Sequence, residues 1–194
     1  MPNWCSNSLT ITGPDKDIVD FVKSAEGSTA RYNDYYTQDD WGNLDEIRVK
    51  ALFQDGVMHQ GSDSPLSFHQ LCPVPEDILK LGYDEGVAKK VANIVGVKYP
   101  GYGGYNWQIQ HWGTKWQPEV YHNEYHSGFA SYEFDTAWSP PLALILHASR
   151  RWPNLNFHIS YREEGMAYEG GMTCEGGEVI SEWEGEIPHE EPHE

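Results

Sequence analysis

Between Tyr105 and Pro141 the chain reads YNWQIQHWGTKW, a short polar insert, then SGFASYEFDTAWSPP. Trp107, Trp112, Trp116 and Trp138, half of the eight tryptophans, fall here among tyrosines, glycines and Lys115. Each indole brings a large apolar surface and an N–H that needs an acceptor, so such a cluster commits the segment to a core or to a recognition surface. In the first case the four rings anchor a helix entry against a sheet. In the second they stack on a ligand base or a partner side chain, with Lys115 supplying charge. The two are compatible, and the core is the leading reading.

Around this segment the periodicity sets an α+β order. Residues 5–12 alternate as a strand, Gly13-Pro14-Asp15 breaks it, and Ile18, Phe21 and Val22 trace the apolar face of a helix ending near Gly27. Residues 28–64 are polar with scattered aromatics and read as an irregular excursion, with a short strand or helix at 47–53. The alternation of Leu66 to Leu71 before Cys72-Pro73 predicts a strand. Pro75 opens a helical turn through Leu81, and residues 84–95 form a helix closed by Gly96. Residues 99–105 are glycine- and tyrosine-rich, but without GxxxxGK[ST] they read as a hinge or aromatic loop, not a phosphate cradle. A helix then ends ahead of the turn at residues 112–116.

The remainder alternates strands with one helix. Residues 129–134 are a strand, and Ser139-Pro140-Pro141 is a helix entry with Ser139 as its cap. The helix stops near Trp152, and residues 154–161 alternate as a strand. Residues 166–172 and 178–183 continue as antiparallel strands, and residues 184–194 read as a solvated acidic tail. Together these are the elements of a ferredoxin-like βαββαβ sandwich, an antiparallel sheet with helices on one face. The expected organisation is one domain over 1–183, an insertion at about 28–64, and the tail.

Charge narrows the function. The formal net charge is −17, with 30 Asp and Glu against 13 Lys and Arg. Direct binding to a phosphate backbone needs a basic patch, and Lys89-Lys90 and Arg150-Arg151 look like ordinary helix-face charges. Beyond Arg162 there is no Lys or Arg, while Glu163, Glu164, Glu169, Glu175, Glu178, Glu182, Glu184, Glu186, Glu190, Glu191 and Glu194 follow. Such a stretch either keeps the protein soluble or imitates phosphates in a basic groove of another protein.

Catalytic signals are weak. Cys5, Cys72 and Cys174 are odd in number, far apart and without CxxC, which fits reduced, buried thiols. His122 and His126 would share a helix face and bind zinc given a third ligand, but YHNEYH reads better as a surface loop. His189 and His193 lie in the acidic tail. Glu133, Asp135, Glu163 and Glu164 lie on or near strands, where solvation is the simpler role than acid–base pairing. No GxSxG or SxxK motif is present. No apolar run approaches the roughly 20 residues of a membrane span, and the first residues lack a signal-peptide pattern, so a cytoplasmic protein is expected.

Three groups of residues are also similar to a known family. They are Met1-Pro2-Asn3-Trp4-Cys5-Ser6-Asn7-Ser8-Leu9; then Asn106-Trp107 and Trp112 to Trp116 with Phe134 to Pro141; and Tyr161 to Gly165 with Gly170. They resemble the Api92-like/YubB group, carried by phages and conjugative plasmids. The resemblance implies a ferredoxin-like domain and a mobile-element setting, and carries no reaction or catalytic residue. With the charge, it leads to an expected non-enzymatic accessory protein that needs no cofactor and no metal. Its expected partner is a host protein with a basic nucleic-acid-binding surface, not nucleic acid or membrane, and inhibition of a host defence or nucleic-acid-handling component is the expected role. Candidate contact residues are Trp107, Trp112, Lys115, Trp116, Trp138, Glu163, Glu164 and Glu169. The alternatives are a binder that sequesters a nucleotide-like molecule among the aromatics, and an enzyme of unknown type using the histidine pair.

Overall fold

A computed structural model describes residues 3–36, 44–56 and 61–187. Strand β1 (Trp4–Thr12) buries Cys5, Asn7, Leu9 and Ile11 and turns Trp4, Ser6 and Ser8 the other way. Helix α1 (Asp15–Ala25) follows Pro14, with Asp15 and Asp17 in its first turn and Lys23 in its last, charges that complement the helix dipole. Its Phe21 meets Trp152, Phe157 and Tyr132 edge-on, at ring-centroid distances of 5.1, 5.5 and 6.3 Å.

The chain then makes a long excursion through β2 (Gly27–Ser28), α2 (Glu46–Asp55), β3 (Asp63–Ser64), α3 (Phe68–Leu71), α4 (Glu76–Leu81), α5 (Glu85–Val95) and α6 (Gly104–Trp112). It returns as β4 (Lys115–His126), β5 (Phe129–Ala137), α7 (Leu142–Arg151), β6 (Asn156–Glu163), β7 (Tyr168–Glu175) and β8 (Glu178–Glu186). The large sheet has the order β4-β5-β1-β6-β7-β8, with every neighbouring pair antiparallel. Two β-α-β units, β1-α1-β4 and β5-α7-β6, are thereby interleaved, which is the ferredoxin-like arrangement, and β7 and β8 extend it.

One face of the sheet carries the core. Leu9 and Ile11 of β1, Tyr132 and Phe134 of β5, Phe157 and Ile159 of β6, and Met172 of β7 pack with Phe21, Phe68, Trp107, Trp112, Leu144 and Ala148 from the helices. A second, smaller cluster sits in the excursion, where Val49 of α2 and Val87, Ala88, Val91 and Ala92 of α5 surround Tyr35 and Leu81. The excursion read at 28–64 is therefore part of a longer stretch between α1 and β4, and it has a core of its own.

Several local expectations need correction. The alternating 66–71 segment is not a strand. Ser67 accepts a bond from the Gln70 amide and starts a helical turn that buries Phe68 and Leu71. Residues 47–53, read as a short strand or helix, need no correction, since they belong to a helix capped by Asp45. YHNEYH is the outer end of β4, not a loop. Ser139 does not cap α7, since its hydroxyl donates to the Gly113 carbonyl while Pro141 stands at the cap. Glu184 to Glu186 complete β8 and are not tail, because they pair with Tyr168 to Gly170. Residues 188–194, with His189 and His193, lie outside the described residues. Among the described residues no helix is long and apolar enough to cross a membrane.

Candidate binding surface

The strand residues that point away from the core form the second face of the sheet, and the register lays it out row by row. Ser6 stands opposite Asp135 and Arg162, and Ser8 opposite Glu133 and Ser160. Outward from these, Arg162 pairs with Glu169, Ser160 with Gly171, and Gly171 with Trp183. On the other side Glu119 pairs with Asp135, and His122 with Glu133. Directly paired residues share a face, so the floor is small and hydroxylated while its margins carry aromatics and carboxylates.

Two adjoining clefts run across this face. One, of about 350 Å³, is lined by Asn3, Trp4, Ser6, Arg162, Glu163, Glu164 and Gly165. The other, of about 320 Å³, lies over Ser6, Ser8 and Ser160 and is walled by Tyr121 and Trp183, with Glu133, Arg162 and Glu169 also lining it. Ser6 and Arg162 belong to both, so the two make one trough. Tyr121 and Trp183 are 60% and 55% exposed, far more than core rings. Gly171 explains how Trp183 lies down on the sheet. A Cβ at Gly171 would stand 2.8 Å from the indole nitrogen, so any larger residue would lift the ring.

Charge in the trough is mostly negative. Arg162 is held by Glu169 at 3.1 Å and Glu164 at 3.8 Å. Glu133 accepts from Ser8 at 2.7 Å, and the buried Oδ1 of Asp135 has no hydrogen-bond partner among the described residues. Desolvation pushes the Tyr121 phenol above its ordinary value, and the charges of Asp135 and Glu133 push it the same way.

The candidate residues divide sharply. Trp107 and Trp112 are buried, pack edge-on at 5.8 Å, and the Trp112 indole donates to the Cys72 carbonyl at 2.9 Å. They are core, not contact residues. Trp116 and Trp138 are 40% and 42% exposed, and the Lys115 ammonium lies 4.1 and 5.7 Å from their rings. Both sit in the left-handed backbone region, with φ of 67° and 72°, a strained conformation for a bulky residue. The surroundings impose it. Trp116 N–H donates to Gln108 and Trp138 N–H to the Asn3 carbonyl, while Tyr168 donates to the Trp138 carbonyl.

Glu163 also leaves the contact set. It is fully buried, and its carboxylate accepts the Gly165 and Met166 amides at 3.0 and 2.6 Å, which shapes the turn into β7. Glu164 and Glu169 stay at the trough through Arg162. Sequence reasoning missed Tyr121 and Trp183 as site residues. Alternation within β8 could have marked Trp183 as outward-facing. Tyr121 lies where the β4 register shifts between Val120 and His122, and no local signal shows that the two oppose each other across four strands.

Metal chemistry gains no support from the histidines. On β4, His122 and His126 are four residues apart along a strand, so their Cα atoms are ~13 Å apart instead of sharing a helix turn. His126 stacks on Phe129 at 4.7 Å. Among the described residues no group of three or more His, Cys, Asp or Glu is placed to hold a metal ion. The three cysteines are free and buried, and desolvation pushes the Cys5 thiol up to about 12, with Glu163 adding to the shift.

Sheet order and helix placement define the class as an α+β protein with a ferredoxin-like domain. Residues 111–193 match the family model described as the ferredoxin-like domain in Api92-like protein. A crystal structure of a protein api92 from Yersinia pseudotuberculosis aligns over 98% of this chain and 100% of that one, with a TM-score of 0.51 and 10% sequence identity. The resemblance read from the motifs is thus borne out over residues 111–193, which match that domain, and the solved structure shares the fold. The matched segment spans β4 to β8, while β1 enters the middle of their sheet from outside it. No curated protein sequence matches the chain.

Proposed function

We propose that this protein is a non-enzymatic binding protein of a phage or plasmid, and that it inhibits a host component by covering a basic surface with its acidic open sheet face. The observation that carries this reading is the charge of that face. Glu119, Glu124, Glu133, Asp135, Glu169 and Glu175 occupy outward register positions, against Lys115 and Arg162. An acidic face of this kind steers a basic partner and repels nucleic acid and acidic surfaces. A host nucleic-acid-handling or defence protein, whose own ligand is a phosphate chain, is the class of partner that fits.

Pull-down from host lysate at low and high salt tests it, comparing the natural protein with a variant in which Glu124, Glu133, Glu169 and Glu175 are changed to Lys. The expected result is salt-sensitive capture of a basic protein whose activity falls on binding, and loss of that capture in the variant. Equal capture by both proteins would remove the charge-based reading.

A second reading has its own observation. Trp116 and Trp138 expose their rings beside Lys115, which has no carboxylate partner among the described residues. That corner suits a planar anion such as a nucleotide. Heating the purified protein and weighing the released small molecules tests it, and an empty extract with no melting shift from added nucleotides counts against it.

A further inference from the structure

The open face is more than an acidic surface. Its charges lie around a trough that has walls, a floor and a width, and those features select an occupant. The strands bearing Tyr121 and Trp183 are the two edges of the sheet, five strand spacings apart. At ~4.8 Å per spacing their backbones stand ~24 Å apart. Because both side chains line one cleft, they lean inward from those edges and close the trough from two sides.

The floor between them is made of Ser6, Ser8 and Ser160, so a main chain can approach the sheet with hydroxyls in reach. An occupant must satisfy three conditions. It must carry positive charge, for Glu133 and for the acidic rows on either side. It must present flat or methylene surface to Tyr121 and Trp183, as an Arg or Lys side chain does. It must be long and thin, because the trough continues past Arg162 into the cleft beside Trp4.

From this we infer that the trough receives an extended basic segment of a partner polypeptide, with its cationic side chains against Tyr121 and Trp183 and toward Glu133 and Glu169. This rests on the binding-protein reading above and adds where and how the partner docks. A phosphate chain fails the first condition, because its charge has the wrong sign for Glu133 and the acidic rows, and Arg162 is already taken up by Glu164 and Glu169. A second copy of this chain fits poorly, because its net charge of −17 would bring like charge to like. A free polyamine shares the charge and the methylenes, and is separated from a peptide by experiment.

The probe is a fluorescein-labelled synthetic peptide of alternating Arg and Ser, titrated by fluorescence anisotropy at low salt. Two sets of variants are compared with the natural protein. One removes the trough features (Tyr121→Ala with Trp183→Ala, and separately Glu133→Gln with Glu169→Gln). The other, Glu182→Gln with Glu186→Gln, neutralises two carboxylates that lie outside both clefts. The expected result is a loss of affinity of about tenfold or more for each trough variant, and little change for the outside pair. Melting temperatures check that all three variants fold. Equal losses in the two charge-neutralised pairs would overturn the trough while leaving an acidic binding surface intact. No binding of the peptide to the natural protein would overturn the trough, and the lysate experiment would then decide the broader reading separately. Spermine that binds with the same variant pattern and displaces the peptide at equal concentration would also overturn the inference, by making a small polyamine the occupant.

Discussion

The two faces of this sheet are built from the same strands by alternate residues, and they could hardly differ more. Toward the helices, β1 presents Leu9 and Ile11 to Phe21, Phe68 and Trp112 in a closed core. Away from them it presents Ser6 and Ser8 to Glu133, Arg162 and a trough. The difference teaches that aromatic residues have opposite meanings on the two sides. A ring on the inner face is satisfied by neighbours and by a hydrogen bond. A ring on the outer face keeps half its surface in water, and its role has to be sought in what it could meet.

The largest test of this division is Trp112→Ala. Truncating a fully buried indole that also donates to the Cys72 carbonyl should cost about 3–5 kcal/mol in chemical denaturation. A loss below 1 kcal/mol would mean that the inner face is not closed around this residue. Glu163→Ala comes next. It leaves the Gly165 and Met166 amides without their acceptor and should cost about 1–3 kcal/mol, which assigns this carboxylate to the fold. Unchanged stability with weakened partner binding would instead return Glu163 to the contact surface.

A third test uses pH. Desolvation first, and then Glu184, pushes the Tyr161 phenol from 10.0 up to about 12, while Cys5 rises from 9.0 to about 12. Both groups hold their proton more tightly in the folded chain than in the unfolded one. The stability they contribute is complete below about pH 9, and it is lost as pH rises through the 9–12 window. Melting temperatures should be level on the neutral side and fall across that window. A flat profile to pH 11 would show that these groups are not enclosed. The smallest expected effect belongs to Trp183→Ala, about 0.5 kcal/mol or less, because the ring is 55% exposed. A larger loss would make Trp183 a structural brace for β8, blurring the contrast between the faces.

Much of the fold was legible because its signals are local. The alternation of β1, the caps of α5 at Asp84 and Gly96, and the apolar face of α1 each follow from residues a few positions apart. Errors arose where two local readings competed. Leu66 to Leu71 alternates like a strand, yet Ser67 offers a cap, and packing of Phe68 against Trp112 and Phe134 decides for the helix. Ser139 looked like a helix cap because it precedes two prolines, but a carbonyl at Gly113, distant in sequence, takes its hydroxyl. The candidate site was less legible. Trp107 and Trp112 are as aromatic as Trp116 and Trp138, and no neighbouring residue distinguishes the buried pair from the exposed pair.

By itself the sequence determined the elements, their order and the excess of negative charge, since these depend on spacing and composition along the chain. Which tryptophans are buried, and that Tyr121 and Trp183 face each other over Ser6, Ser8 and Ser160, only the tertiary structure decided. The reason is that β1 is inserted between β5 and β6, strands that begin more than a hundred residues later. Among the described residues the helices that pack on the sheet do so against its inner face. Which rows that leaves open is a property of the assembled sheet, not of any one strand.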